Sequence, residues 1–144
     1  MILRLACPQD AAALAELEAG QPRAAGWGKK GFDSEILQTC SRVFCAEENG
    51  EIWGFLALRA AGGAAEILNV AVDKRHCGRG VGWSLLRHAF CELGREGVFH
   101  VTLEVAQDNA PACALYAKGG FVRLGTRKDF YGPGRDAWVL GADL

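Results

Sequence analysis

The spacing of apolar residues changes several times along the chain, and each change predicts a different element of secondary structure. The apolar stretch at residues 2–6 predicts a first strand. Leu14 and Leu17 then stand at helical spacing, which predicts a helix that opens at Pro8 and Asp10. The chain therefore starts with a strand followed by a helix.

A glycine-rich stretch and a hairpin follow this helix. Residues 20–31 contain four glycines and a proline, so we expect a loop there, followed by a short helix at residues 33–40. Two apolar stretches, residues 43–47 and 51–58, are separated by a turn that contains Asn49-Gly50. Asn-Gly readily adopts the positive φ angles of a tight turn, so these stretches predict paired antiparallel strands.

The middle of the chain has the clearest helix and the clearest strand patterns. The aliphatic run at residues 66–73 predicts a buried strand, and the apolar positions between Val81 and Leu93 predict an amphipathic helix that stops near Gly94. Residues 98–106 alternate between apolar and polar, which predicts a half-buried strand. Its apolar face carries Phe99, Val101, Leu103 and Val105, and its polar face carries His100, Thr102 and Glu104.

The last third predicts one more helix and two closing strands. Asn109 or the aspartate before it caps a helix that Gly119-Gly120 ends. Strands are expected at residues 121–127 and 136–142, on either side of a loop with two glycines and a proline. The order of elements predicts one mixed α/β domain over residues 1–144, with two helical crossovers around the central strands.

Charge and composition narrow the classes of partner. Sixteen Lys and Arg residues against seventeen Asp and Glu give a net charge of −1. No overall basic field attracts nucleic acid or an anionic membrane, so we expect neither as a direct partner. No apolar run approaches the roughly 20 residues of a membrane span. The six cysteines form no Cys-x-x-Cys pair and no leader is recognisable, so we expect a reduced, cytoplasmic protein.

Glycine is unusually common, with 19 of 144 residues. The cluster Gly78-Arg79-Gly80-Val81-Gly82 lies between a predicted buried strand and the next helix, after Lys74 and Arg75. Glycines let a ligand approach the backbone, and the free amides at a helix start favour an anion such as pyrophosphate. A Rossmann fingerprint would need glycine where Trp83 stands, and the Gly-Lys-Ser/Thr of a P-loop is absent. An ordinary glycine-rich turn is the alternative.

Several motifs in the right order resemble those of GNAT-superfamily acetyltransferases, over most of residues 66–140. They are Val70-Ala71-Val72-Asp73, Gly78-Arg79-Gly80-Val81-Gly82 with Leu85-Leu86, Leu103-Glu104-Val105, Asn109-Ala110, Ala114-Leu115-Tyr116 and Gly120-Phe121. Asn69, Arg127–Tyr131 and Gly134–Ala137 narrow the resemblance to enzymes that acetylate the N-terminal alanine of small-subunit ribosomal protein number eighteen. The resemblance implies a GNAT fold: a mixed, mostly antiparallel sheet of six to seven strands with a splayed central pair, flanked by about four helices.

The resemblance also implies acetyl-CoA as co-substrate and assigns its contacts. The backbone of Val70, Ala71 and Val72 receives the pantetheine and acetyl group, and Asn109 contacts the cofactor arm. Gly78, Arg79, Gly80, Val81, Gly82 and Trp83 surround the pyrophosphate. The superfamily has Gln or Arg where Cys77 stands, so a side chain that could donate to phosphate is replaced by one that barely can. Because backbone amides hold the phosphates, we expect binding to survive.

The resemblance assigns catalytic roles to two residues. Glu104 matches the general base, acting directly or through water, and Tyr116 matches the general acid that protonates the leaving CoA thiolate. At pH 7 the deprotonation of an α-amine with a pKa of ~8 costs about 1.4 kcal/mol, whereas a lysine with a pKa of ~10.4 costs about 4.6 kcal/mol. The amine attacks the thioester directly, so no cysteine nucleophile is needed. The three histidines lack ligand spacing, and we expect no metal.

Three aromatic residues are candidates for binding the acceptor: Trp27, Phe130 and Tyr131. The resemblance implies an acceptor that begins with a small residue and continues with basic ones, so an acidic groove is expected, with Glu47, Asp129 and Asp136 as candidate acids. Two alternatives stay open. One is a GNAT enzyme for a small-molecule or lysine amine. The other is a non-catalytic CoA-binding regulatory module, an alternative that stays open because Cys77 departs from the superfamily pattern.

Overall fold

Seven strands form one sheet in the computed structural model, which describes residues 1–144. The strands are β1 (Ile2–Leu5), β2 (Ser41–Glu48), β3 (Glu51–Ala61), β4 (Ala64–Val72), β5 (His100–Ala106), β6 (Val122–Arg127) and β7 (Ala137–Asp143). The helices are α1 (Ala11–Ala19), α2 (Gly28–Ile36), α3 (Val81–Arg95) and α4 (Ala110–Lys118). Short 3₁₀ turns lie at Pro8–Asp10 and Lys74–His76.

The sheet order is β1-β2-β3-β4-β5-β7-β6, and every pair is antiparallel except β4 with β5. The predicted mixed, mostly antiparallel sheet with four helices is confirmed. Asn49 and Gly50 have φ angles of 52° and 78°, as the hairpin prediction requires. No helix is both long enough and apolar enough to cross a bilayer.

The parallel pair separates halfway along its length. β4 pairs with β5 only where residues 64–67 lie opposite residues 100–103. In the β3–β4 ladder, Ala57 pairs with Asn69 and the next residue pairs with Ile67, so one residue of β4 bulges out. The two strands diverge beyond this point, which confirms the splayed pair.

The core has one part on each face of the sheet. The larger part joins α3 to the sheet through residues such as Leu85, Leu86 and Leu103. The smaller part joins α1 and α2 to β2 and β3, with Leu14 and Phe32 fully buried. Because α1 and α2 lie over β2 and β3, the face of β5 that carries Glu104 is left uncovered by helices.

Two predicted details are wrong. The second helix spans Gly28–Ile36 and not residues 33–40. The carboxylate of Glu18 accepts the amides of Trp27 and Gly28, and this cap lets the helix begin earlier in the chain than predicted. The alternation predicts Phe99 on the buried face of the strand, but Phe99 is 63% exposed. The strand begins at His100, so Phe99 lies just before it, and the Phe99 amide donates to the carbonyl of Gly63 at 2.8 Å.

Candidate active site

A cavity of about 1010 Å³ opens where β4 and β5 separate. Its walls come from β4, the glycine loop, the first turn of α3, the end of β5, α4 and two loops. Most of the predicted site residues line it, namely Val70, Ala71, Val72, Gly78, Gly80, Val81, Gly82, Trp83, Glu104, Asn109, Tyr116, Phe130 and Tyr131. The structure therefore brings residues from five separate motifs, together with Phe130 and Tyr131, to one cleft.

Two predicted site residues do not line this cavity. The guanidinium of Arg79 lies 5.6 Å from the centre of the Trp53 ring. Trp27 packs edge-on against Phe32, with ring centres 5.4 Å apart, and its amide donates to Glu18. Both side chains thus contact protein neighbours outside the cleft.

The glycine loop presents backbone amides to the cavity. Gly78 and Gly80 have φ angles of 78° and 75°, which side chains other than glycine rarely adopt. The amide of Ser84 is the first that bonds back into α3, donating to the carbonyl of Gly80 at 2.9 Å. The amides of the three residues before it lack helical acceptors and carry the positive end of the helix dipole. This arrangement suits a pyrophosphate.

The side chains around Cys77 are engaged in contacts with other groups of the protein. The exposed Cys77 thiol lies 3.6 Å from the carbonyl oxygen of Asp73. Arg75 bonds to the Asp73 carboxylate through its side chain and its amide, and these bonds hold the pKa of Asp73 at about 2. His76 stacks on Trp53 with ring centres 3.8 Å apart. Backbone amides are therefore the main donors that this loop offers to a phosphate.

Glu104 lies on the open face of β5, and its side chain is 24% exposed. The guanidinium Nε of Arg127 lies 2.9 Å from its Oε1. Burial and then the charge of Glu104 raise the pKa of the Tyr131 phenol, whereas Arg135 lowers it. Glu104 is thus joined to the end of β6 through Arg127.

Tyr116 projects from α4 into the cavity and is only 6% exposed. Its ring packs against Phe121 with centres 5.5 Å apart. Burial raises the pKa of the phenol above its ordinary value of about 10. The hydroxyl is therefore protonated at neutral pH and can act as a proton donor.

The candidate acids for a basic acceptor are engaged elsewhere. Glu47 pairs with Arg4 at 2.8 Å. Asp129 accepts the amide of Gly134, and Asp136 accepts the amide of Asp129, so both aspartates brace their own loop. The acids that line the cavity are Glu66, Glu104 and Asp108. None of the three candidate acids Glu47, Asp129 and Asp136 lines the cavity.

Three contacts around the cleft were missed by the sequence patterns. Arg23, in the loop between α1 and α2, pairs with Asp108 at 2.9 Å, and Arg127 pairs with Glu104. The buried Glu18 bonds to the buried Asn69 at 2.8 Å. Each contact joins residues far apart in the chain, so no local pattern signals it. No three His, Cys, Asp or Glu side chains are grouped closely enough to hold a metal ion.

Comparison with known proteins agrees with this geometry. The profile of the Acetyltransferase (GNAT) family matches residues 11–121. N-alpha-acetyltransferase RimI of Mycobacterium tuberculosis is 33% identical over 122 residues, which cover 81% of this chain and 75% of that protein. The ribosomal protein bS18-alanine N-acetyltransferase of Escherichia coli is 33% identical over 105 residues, which cover 73% of this chain and 70% of that protein.

A solved structure extends the likeness to the whole fold. The crystal structure of the ribosomal-protein-S18-alanine N-acetyltransferase from Escherichia coli superposes with a TM-score of 0.88 at 28% identity, covering 99% of this chain and 92% of that chain. These similarities confirm the fold and the resemblance that the motifs indicated. The chain belongs to the acetyltransferase (GNAT) family.

Proposed function

We propose that the protein transfers the acetyl group of acetyl-CoA to the N-terminal α-amine of an alanine, and that its acceptor is small-subunit ribosomal protein bS18. The observation that carries this proposal is that Glu104 and Tyr116 line one cleft, which the glycine loop also lines. The name of one relative at 33% identity supports the acceptor bS18, and the name of a second relative at 33% identity supports acetylation of an α-amine. Residues 78–83 would hold the pyrophosphate, and the edge formed by residues 70–72 would receive the acetyl arm.

Glu104 would act as the general base. It takes a proton from the acceptor ammonium, directly or through water, and the freed nitrogen attacks the thioester carbonyl carbon. This deprotonation costs about 1.4 kcal/mol at pH 7 for an α-amine with a pKa of ~8, against about 4.6 kcal/mol for lysine. An α-amine therefore asks less of a carboxylate base than a lysine side chain does.

Tyr116 would act as the general acid. When the carbon–sulfur bond breaks, its hydroxyl gives a proton to the departing thiolate and regains one, through water, from the nitrogen that attacked, so the products are the N-acetylated acceptor and CoA. Its high pKa keeps the proton in place until the thiolate forms. The transfer is direct, so no acetylated cysteine is formed.

The test is a peptide assay with acetyl-CoA and detection of the product by mass spectrometry. The first substrate is a peptide with the N-terminal sequence of bS18, and the second is the same peptide with its N-terminus blocked and a lysine added. The third is a polyamine. We expect acetylation of the first alone. Acetylation of the polyamine with an untouched alanine peptide would show a small-molecule acetyltransferase, and binding of acetyl-CoA without turnover on any amine would show a non-catalytic module.

A further inference from the structure

A buried polar pair outside the proposed catalytic residues connects the two sides of the cleft. Glu18 on α1 is 3% exposed and Asn69 on β4 is 4% exposed. The Glu18 carboxylate accepts hydrogen bonds from the amides of Trp27 at 2.8 Å and Gly28 at 2.9 Å, and from Nδ2 of Asn69 at 2.8 Å. Oδ1 of Asn69 accepts the amide of Ala25 at 3.1 Å.

The position of Asn69 follows from the bulge in β4. The irregular pairing opposite Ala57 makes Asn69 face α1, while its neighbour Val70 packs with the α3 side of the core. Asn69 therefore stands in the strand whose edge faces the cleft, yet its side chain bonds to the loop between α1 and α2. Residues 21–25 of that loop form a wall of the cavity.

The pair is not needed to attach α1 and α2 to the sheet. The fully buried Leu14 and Phe32 already pack these helices against β2 and β3. What the pair adds is hydrogen bonds to three amides that have no other acceptor, those of Ala25 and Trp27 in the loop and of Gly28 at the start of α2. A buried donor left without an acceptor costs free energy, so the loop has one favoured position while both side chains are present.

We propose that Glu18 and Asn69 are positioning residues that fix residues 21–25 as the acceptor-side wall of the active site. This role rests on the proposed function only in that the acceptor amine reaches Glu104 past this wall. Loss of either side chain lets the wall shift, which weakens acceptor binding. The glycine loop and the first turn of α3 make no hydrogen bond to the pair and keep their geometry.

The chain offers a matched control for this proposal. Glu35, on α2, is 6% exposed and makes two 2.8 Å hydrogen bonds to Arg59, and neither residue lines the cavity. Glu18→Gln and Glu35→Gln thus each disrupt a buried carboxylate in the same helical layer. Asn69→Ser is the second variant, because it removes the same link from the β4 side without touching α1.

The measurement is the KM for the acceptor, the KM for acetyl-CoA, kcat and the melting temperature of each variant. We expect Glu18→Gln and Asn69→Ser to raise the acceptor KM on the order of tenfold, because displacement of a substrate-positioning group by about 1 Å has effects of this size or larger. Their acetyl-CoA KM should stay unchanged. Glu35→Gln should lower the melting temperature and leave both KM values unchanged.

The proposal is overturned if Glu18→Gln and Asn69→Ser keep the wild-type acceptor KM, or if both KM values rise together. If Glu18→Gln does not fold, Asn69→Ser decides alone. Should the wild-type enzyme acetylate a polyamine and not the alanine peptide, the proposed acceptor is wrong. The same KM comparison made with the polyamine then still tests whether the pair positions the wall.

Discussion

The two sides of the cleft, the proposed cofactor side and the proposed acceptor side, are built in different ways. The cofactor side consists of backbone amides from one continuous loop and the first turn of one helix, and glycine conformation sets their directions. The acceptor side consists of side chains that meet across the fold, because Glu18 bonds to Asn69, 51 residues away, and Arg23 bonds to Asp108, 85 residues away. One side is local in sequence, and the other is assembled only by folding.

This difference predicts how each side responds to substitution. A site made of amides should tolerate the loss of a side chain, such as the Gln or Arg that Cys77 replaces, but not a change in backbone conformation. A site made of side-chain pairs responds to the loss of either partner. The two KM values should therefore change independently, and only the residues where the sides meet should control kcat.

Glu104→Gln should have the largest effect, because the residue lies where the two sides meet. We expect kcat to fall by about 10² to 10⁴-fold, the contribution of a positioned general base, with acetyl-CoA affinity retained. Initial rates with the alanine peptide and calorimetric titration with acetyl-CoA measure the two quantities. An unchanged kcat would remove Glu104 from the role of base.

Tyr116→Phe should lower kcat on the order of 10²-fold and leave both KM values near those of the wild type. Phenylalanine keeps the packing against Phe121, so folding is preserved. Because burial raises the pKa of the phenol, the acid stays protonated as the pH rises, and its loss should reduce kcat only above pH ~10. A pH profile of kcat checks this. A fall that begins near neutral pH and disappears in Tyr116→Phe would contradict it.

Gly80→Val tests the cofactor side alone. Gly80 has a φ of 75° with open space around it, so valine would be strained without a clash. Such strain costs about 1–2 kcal/mol, and relief by a change in the loop should weaken acetyl-CoA binding roughly tenfold with the acceptor KM unchanged. Gly97→Val is the matched control, because Gly97 has a φ of 83°, equal space and a position after the far end of α3. Equal acetyl-CoA affinities in the two variants would refute the amide cradle.

Cys77→Gln should have the smallest effect, and it should strengthen acetyl-CoA binding where Gly80→Val weakens it. It restores a donor at the position where the family has one, and one net hydrogen bond of about 0.5–1.5 kcal/mol should tighten acetyl-CoA binding roughly two- to tenfold. Cys91→Gln, at another exposed cysteine, is the control. Weaker binding in Cys77→Gln would show that the thiol itself is needed at this position.

The same contrast explains what the sequence could predict. The glycine loop, the start of α3 and the alternation that places Glu104 on an open strand face depend on neighbouring residues, so local patterns show them. The start of α2 depends on Glu18, ten residues earlier, and was therefore predicted too late. The pairs Glu18–Asn69, Arg23–Asp108 and Arg127–Glu104 have no local pattern, because tertiary folding alone brings them together.

Placement of the candidate acids shows the same limit. Glu47, Asp129 and Asp136 are ordinary acidic residues in sequence, and their partners decide whether they are free to bind an acceptor. In the structure Glu47 pairs with Arg4, and both aspartates accept hydrogen bonds from amides of their own loop. Acidic residues in a sequence can thus suggest a binding surface, but the ion pairs and hydrogen bonds that engage them appear only in the fold.

In the proposed mechanism both substrates occupy the two sides of this cleft together, and the acetyl group passes directly between them. Initial rates measured at several fixed concentrations of acetyl-CoA, with the alanine peptide varied, distinguish this mechanism from one with an acetylated enzyme. Direct transfer gives intersecting double-reciprocal lines, as a ternary complex requires. Parallel lines, the signature of an acetylated enzyme intermediate, would contradict it.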